Sequence, residues 1–316
     1  MDKKNIIFKI LEYYYVNDMT QAEISSRLNI TRVAVSRHIS KARQDGLIEF
    51  KIKYPANYTL DRHETLEQEF IKLYSLKDCI IVNSQKNPVD TLKELSEHLE
   101  IMLHNIVNDN TFMGVGWGTT LETIAHLIEV KERHSVKVVP LIGGYGRYFD
   151  DGHSNNIARL LAEKFGGNSY IVNIPASFDT KDIKDTILRD SAAKEIFKLA
   201  KRVEVALLCM SDLSTESTLF KSGQMNQEDI DYLSGLGIVG DINYIFIDKE
   251  GIFIPNEISE RTTNLFPIEL MKSVKNVIGI AIGIRKAEIL RAVLKGGLVN
   301  ILVTDLDAAN KIIEMK

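Results

Sequence analysis

The sequence predicts an α/β protein: a mostly parallel, Rossmann-like sheet with helices on both faces, plus a small N-terminal helix-turn-helix domain. Three observations carry this. From residue 78 onward, short continuous Val/Ile/Leu runs alternate with helical stretches, the pattern of a parallel sheet covered on both sides. Between residues 21 and 43, two short helical stretches are joined by a tight turn. Charge also divides the chain. Residues 1–53 hold ten Lys/Arg against six Asp/Glu, a net +4, whereas the rest of the chain holds 29 against 37, a net −8. A small basic head on a larger acidic body is the footprint of a nucleic-acid reader joined to something else.

The head follows residue by residue. Ile6, Ile7, Ile10, Leu11 and Tyr14 recur at three and four, giving one apolar helical face. Asp18-Met19 breaks that helix. Thr20-Gln21-Ala22-Glu23 reads as a capping box opening a second helix to about Leu28, and Asn29 suits the left-handed turn that ends it. Thr31 can cap a third helix, which runs to about Gln44 and stops at Gly46. Leu47 to Lys53 alternates like a strand. Ile24, Leu28, Ile30, Val35 and Ile39 fall where two crossing helices bury each other, with small Ser25 at the crossing. The free face then carries Thr31, Arg32, Val33, Ser36, Arg37 and Ser40, groups suited to phosphates or base edges in a major groove. Lys41 and Arg43 are placed to meet phosphate. Residues 27–43 hold five basic residues and no acid. The bland counterpart is a helical bundle with a solvated basic face.

Tyr54-Pro55-Ala56-Asn57 is the candidate linker, because Pro55 disfavours helix before it and cannot donate to a ladder. The expected boundary lies between residues 54 and 55. A helix over Leu60 to Leu76 is expected, with Leu66, Phe70, Leu73 and Tyr74 as its stripe. Strands are expected at 79–82, 112–116, 136–141, 170–172, 205–208, 244–247, 277–280 and 300–303. Helices are expected at 91–107, 121–128, 155–165, 181–201, 226–235, 286–295 and 307–314. Ligands in such sheets sit beyond the carboxyl ends of the strands.

One loop there has chemical character. Gly114-Val115-Gly116-Trp117-Gly118-Thr119-Thr120 joins a strand to a helix, so glycine N–H groups, the helix dipole and two hydroxyls favour a phosphate. Its spacing is neither the dinucleotide fingerprint nor a Walker loop. A second loop, Gly143-Gly144-Tyr145-Gly146, leads to His153 and Asn155 at a helix start. Asp241 offers a polyol acceptor and Lys286 a phosphate counter-charge. Taken alone, each of these is more often a turn, a cap or a surface charge. Cys79 and Cys209 lie far apart without a partner motif, which fits a reducing cytoplasm and excludes a disulfide framework. The longest strongly apolar run, near Asn276 to Ile284, is far short of the ~20 residues that span a bilayer. Neither a signal peptide nor a membrane partner is expected, and the expected location is the cytoplasm.

Thr31-Arg32-Val33-Ala34-Val35-Ser36-Arg37, Gly114 to Thr120, Gly143-Gly144, Gly237-Ile238-Val239-Gly240-Asp241-Ile242 and Leu302-Val303-Thr304-Asp305 together resemble the SorC family of bacterial sugar-responsive transcriptional regulators. The resemblance runs nearly end to end. It implies a helix-turn-helix DNA-binding domain over residues 1–54 and an effector-binding and oligomerisation domain over 55–316. It implies an operator DNA partner, a phosphorylated sugar effector, a homo-oligomer (dimer or tetramer), and repression rather than activation. No cofactor, metal or catalytic residue is implied. Carried over by position, the glycine loop, with Gly116, Gly118, Thr119 and Thr120, would hold the phosphate, and Gly143 and Gly144 of the second loop would also belong to the effector site. His153, Asn155 and Asp241 would line the sugar, and Lys286 would help hold the phosphate. Two departures stand out: Ile142 replaces the Lys or Arg that precedes the paired glycines in some members, and Leu208-Cys209-Met210-Ser211 replaces a Gly-Ile-Gly strand end. The rival readings are a phosphosugar isomerase or deaminase fused to a DNA-binding head, suggested by Asp151-Gly152-His153, and a regulator whose body only oligomerises.

Overall fold

The computed structural model describes residues 3–44, 47–48, 63–130, 134–144 and 152–315. The chain forms two compact units, residues 1–59 and 60–316.

The small unit packs three helices: α1 (Lys3–Tyr15), α2 (Gln21–Leu28) and α3 (Arg32–Gln44). The Thr20 hydroxyl accepts from Glu23 N while the Glu23 carboxylate accepts from Thr20 N, closing the expected capping box. Asn29 takes φ 51°, and its N–H reaches Ser25 O. The Ser25 hydroxyl donates to Ile30 O at 2.6 Å, so the small residue at the crossing also satisfies a turn carbonyl. Ala34 N donates to the Thr31 hydroxyl at 3.2 Å, capping α3. Ile10, Ile24, Val35 and Ile39 form the core, flanked by Leu28 and Ile30. Leu47 and Ile48 have no strand structure. Gly46, the rest of the expected strand and the Tyr54–Asn57 linker lie outside the described residues.

The large unit contains α4 (Glu64–Tyr74), β1 (Asp78–Val82), α5 (Pro88–Ile106), β2 (Phe112–Val115), α6 (Thr119–Leu127), β3 (Lys137–Pro140), α7 (Ser154–Phe165) and β4 (Asn168–Ser169). It continues with α8 (Lys181–Leu188), α9 (Ser191–Ala200), β5 (Val205–Asp212), α10 (Thr218–Lys221), α11 (Gln227–Gly235), β6 (Ile238–Ile242) and β7 (Ile245–Asp248). Then follow α12 (Glu257–Glu260), α13 (Ile268–Ser273), β8 (Asn276–Ile280), a 3₁₀ turn (Ile284–Lys286), α14 (Ala287–Lys295), β9 (Ile301–Asp305) and α15 (Leu306–Glu314). Seven strands run parallel in the order β1-β9-β8-β5-β2-β3-β4.

Alternation along the strands builds a core on each face. Ile80, Val82, Val205 and Leu207 pack with α5, α6 and α7, while Cys79, Ile81, Ala206 and Leu208 pack with α4, α9, α14 and α15. From β2 the chain steps outward to β3 and β4. From β5, on the other side of β2, it steps the opposite way to β8 and β9. The crevice of this sheet therefore opens between β2 and β5.

Four expectations are corrected. Residues 170–172 are not a strand, because the Asn155 amide takes both the N–H and the C=O of Val172 that a ladder would use. Tyr244 to Ile247 is not another parallel strand. Tyr244 is a turn residue, and β7 pairs antiparallel with β6 in a hairpin that the sequence reading missed. Leu73 is 48% exposed. The buried face of α4 is instead turned toward Glu67, whose carboxylate accepts from Ile81 N at 2.8 Å. The helix expected over 181–201 is two helices, divided where Asp190 caps α9.

Candidate functional site

In the small unit, Thr31, Arg32, Val33, Ser36, Arg37, Ser40 and Lys41 are all exposed, while Val35, Ile39 and Ala42 of the same helix are buried. An apolar side chain 69% exposed at Val33, near the N-terminus of α3, is unfavourable in water. It suits contact with a thymine methyl or sugar edge.

In the large unit, a cleft of about 400 Å³ opens at the carboxyl ends of five parallel strands. The segment after β1 contributes Ser84, Gln85, Thr91 and Leu92. The one after β2 contributes Thr119, Thr120 and Thr123, and the one after β5 Glu216, Ser217 and Thr218. The β8 segment adds Gly283, Arg285 and Lys286, and the β9 segment Asp305 and Asp307. A narrow recess beside it holds Trp117, Gly118, Cys209 and Asp241, and shares Thr120, Ser211, Thr218 and Lys286 with the main cleft.

The glycine loop works differently from expectation. Gly116 N donates to Leu207 O and Gly118 N to Gly152 O, both at 2.9 Å, so neither amide is free for a ligand. Gly118 adopts φ 114°, a conformation that favours glycine, and α6 begins there without a side-chain cap. The first N–H groups of a helix lack intrahelical partners. Thr119 and Thr120 supply the first two of these amides, and both residues line the cleft. The loop thus aims the positive end of a helix at the cleft. Lys286 and Arg285 add charge. Arg285 Nε also holds Asp212 Oδ2 at 3.0 Å.

Asp241 reaches the recess because the β6–β7 hairpin crosses the end of β5. Ser211 pairs with Asp241, and Asp212 with Gly240. A Cβ at Gly240 would lie 2.3 Å from Ser211 O, so this approach requires glycine. The turn is closed by Asn243 and Tyr244, both left-handed, and Tyr244 stacks on Trp117 at 5.6 Å. Tyr244 N donates to Asp241 Oδ2 at 2.8 Å. Asp241 is only 2% exposed, and its Oδ1 has no hydrogen-bond partner among the described residues. Burial pushes its carboxyl up to about 7, opposed by the Tyr244 amide and by Lys286. Burial also pushes the Cys209 thiol up to about 11, which keeps it protonated and unreactive.

Of the sequence-derived effector residues, the structure brings Gly118, Thr119, Thr120, Asp241 and Lys286 together. Gly143, Gly144, His153 and Asn155 are not among the residues lining the cleft. Gly143 N donates to Thr263 O and Gly144 N to Ile174 O. His153 Nδ1 accepts from Asn155 N at the start of α7. Gly152, at φ 76°, donates from its N–H to Glu122, consistent with a structural turn; Tyr145, Gly146 and Asp151 lie outside the described residues. Sequence reasoning missed Ser84, Gln85, Ser211, Thr218, Arg285 and Asp305. Ser84, Gln85, Ser211 and Asp305 share one signal, a polar residue at or just past a strand's end, whereas Thr218 and Arg285 lie at the helical turns that follow β5 and β8. Among the described residues, no cluster of His, Cys, Asp or Glu could hold a metal ion, and no helix is long and apolar enough to cross a membrane.

A chain that carries both a sheet cleft of this construction and a helix-turn-helix unit matches a known family. The model described as "Putative sugar-binding domain" matches residues 59–314. The chain belongs to this family. A second model, sigma-70 region 4, matches residues 8–45. The chain is 27% identical over 312 residues to the deoxyribonucleoside regulator of Bacillus subtilis, covering 99% of this chain and 98% of that protein. It is 28% identical over 316 residues to the transcriptional regulator LsrR of Escherichia coli, covering 99% and 96%. The crystal structure of the full-length sorbitol operon regulator SorC from Klebsiella pneumoniae superposes with a TM-score of 0.73 at 26% identity, covering 98% of both chains. The SorC-type resemblance is therefore correct, and so is the α/β fold. By family, the chain is a DNA-binding transcriptional regulator with a sugar-binding domain.

The buried Asp241 carboxyl yields a pH signature. Its folded value lies above the ordinary 3.8, so the unfolded chain ionises first as pH rises. The contribution of Asp241 to stability falls between about pH 4 and pH 7 for this reason, then levels off. Asp241→Asn removes the effect. The melting temperature of the variant minus that of wild type should rise from about pH 5 to about pH 7. A difference constant with pH would contradict the assignment.

Proposed function

We propose that this regulator binds operator DNA through α3 and that a phosphorylated sugar in the large unit's cleft controls that binding. Repression released by the effector is the direction we assign, with the protein acting in the cytoplasm as a dimer or tetramer. Residues 1–54 serve as the DNA-binding domain and 55–316 as the effector-binding and oligomerisation domain. The observation that carries this reading is the meeting, in one cleft, of an uncapped helix N-terminus, a lysine and a buried carboxylate oxygen without a partner. Amides and hydroxyls of Thr119 and Thr120 with Lys286 suit a phosphate, whose charge complements the dipole. Asp241 Oδ1 suits a sugar hydroxyl, since an unpaired buried oxygen costs free energy that a donor restores. The relatives fit the same chemistry: one is named for a sorbitol operon, another for deoxyribonucleosides. Gly143, Gly144, His153 and Asn155 then act by supporting the start of α7.

On the DNA side, Thr31, Arg32, Val33, Ser36, Arg37, Ser40 and Lys41 form the contact face. Arg37→Ala should weaken binding to promoter DNA about tenfold with the fold intact, because the side chain is exposed opposite Val35 and Ile39. Anisotropy titrations at matched salt measure this, and an unchanged affinity removes α3 from the interface.

On the effector side, Lys286 precedes a helix whose own N-terminus is positive, a repulsion that buried Asp241 offsets only in part and that a bound anion would relieve. Lys286→Ala should leave stability without ligand unchanged or slightly raised. It should weaken a phosphorylated sugar's affinity about tenfold, roughly 1.4 kcal/mol. Replacing Thr119 and Thr120 with Val should likewise reduce the response to ligand while sparing DNA binding. Equal calorimetric affinities in wild type and the lysine variant would remove Lys286 from the site.

A further inference from the structure

His63 is the first described residue of the large unit, beyond the stretch that joins it to the helix-turn-helix head. Its backbone is fastened to β1. His63 N donates to Ile81 O, and Glu67, one turn later, accepts from Ile81 N. Its ring meets Asn83, with Nε2 3.0 Å from Oδ1. An amide oxygen only accepts, so His63 donates. Asn83 Nδ2 then donates to Glu94 Oε1 at 3.3 Å, and Asn83 N donates to the same oxygen at 3.2 Å. The other oxygen, Oε2, accepts from Gln85 Nε2 at 3.3 Å. Gln85 lines the cleft.

Glu94 is thus a shared acceptor between two donors with different neighbours. On one side the bonds run inward to half-buried His63. On the other, the single bond to Gln85 is exposed and long, and so is easily exchanged for a ligand contact. A hydroxyl or phosphate oxygen that engages the Gln85 amide removes a donor from Glu94. The carboxylate is then left to strengthen or reorient its bonds to Asn83, and through Asn83 to His63.

We infer that the His63–Asn83–Glu94–Gln85 hydrogen-bond chain couples occupancy of the cleft to the segment through which the large unit joins the DNA-binding head, and so sets DNA affinity. This inference rests on the cleft being the effector site.

The test needs no ligand. Gln85→Glu in the full chain places a second carboxylate against Glu94 and breaks the exposed bond. Amide exchange over residues 64–74 should accelerate, and affinity for the promoter DNA of its own gene should change at least about fivefold, the lower range of typical coupling. In a His63→Phe background, which keeps the ring and removes the donor, both effects should vanish. In a His63→Gln background, which restores a donor, they should return. Exchange confined to residues 83–94, or equal changes in all three backgrounds, would overturn the coupling. If the coupling appears while no phosphorylated sugar shifts the melting temperature, the effector reading fails and the link through His63 stands.

Discussion

Parallel strands place all their carboxyl ends, and therefore the N-termini of the helices that follow, on one edge of the sheet. That constraint organises the large unit. The positive helix ends accumulate where the chain reverses its direction of travel between β2 and β5, and there the covering layer parts. The loops at that edge are held by Asp305. Its carboxylate accepts from Gly283 N, Ala308 N and the Ser84 hydroxyl, and the same hydroxyl accepts from Asp307 N. One buried carboxylate thus ties the ends of β1, β8 and β9 into a single rim.

The site's polarity follows from how this edge is satisfied. Two carboxylates near the rim are engaged: Asp305 by backbone amides, and one oxygen of Asp212 by Arg285, its Oδ1 being buried without a partner among the described residues. The groups left to meet a ligand differ between the two ends. Thr119, Thr120 and Lys286 offer donors and positive charge. Asp241, carried in by the hairpin, offers an acceptor in a recess too dry to hold its charge easily. A small molecule with an anionic end and hydroxyls complements both.

Much of this was legible in the sequence because its signals are local. The capping box at Thr20, the left-handed Asn29, the amphipathic α3 and the Val/Ile/Leu runs each depend on neighbours within a few residues. Thr119, Thr120, Asp241 and Lys286 were legible because they sit in motifs next to glycine or at a helix start. What escaped the reading depends on strand order. Gln85, Ser211 and Asp305 share one cleft only because β1, β5 and β9 lie in the same sheet, which no local pattern encodes. The β6–β7 hairpin escaped because its turn uses Asn243 and Tyr244 in left-handed conformations without glycine. The sequence suggests glycine amides as the loop's donors, but those of Gly116 and Gly118 are spent on Leu207 and Gly152, and the glycines serve to aim α6.

The central claim is that the phosphate of a sugar ligand, held at this rim, changes the grip of the head on DNA. The most direct measurement titrates a preformed complex of the full chain and its promoter DNA with matched pairs of phosphorylated and unphosphorylated sugars at constant ionic strength. The account predicts that one phosphorylated member releases the DNA at concentrations where its unphosphorylated counterpart does nothing. Equal release by both members of that pair, or release by an unphosphorylated sugar alone, would contradict it.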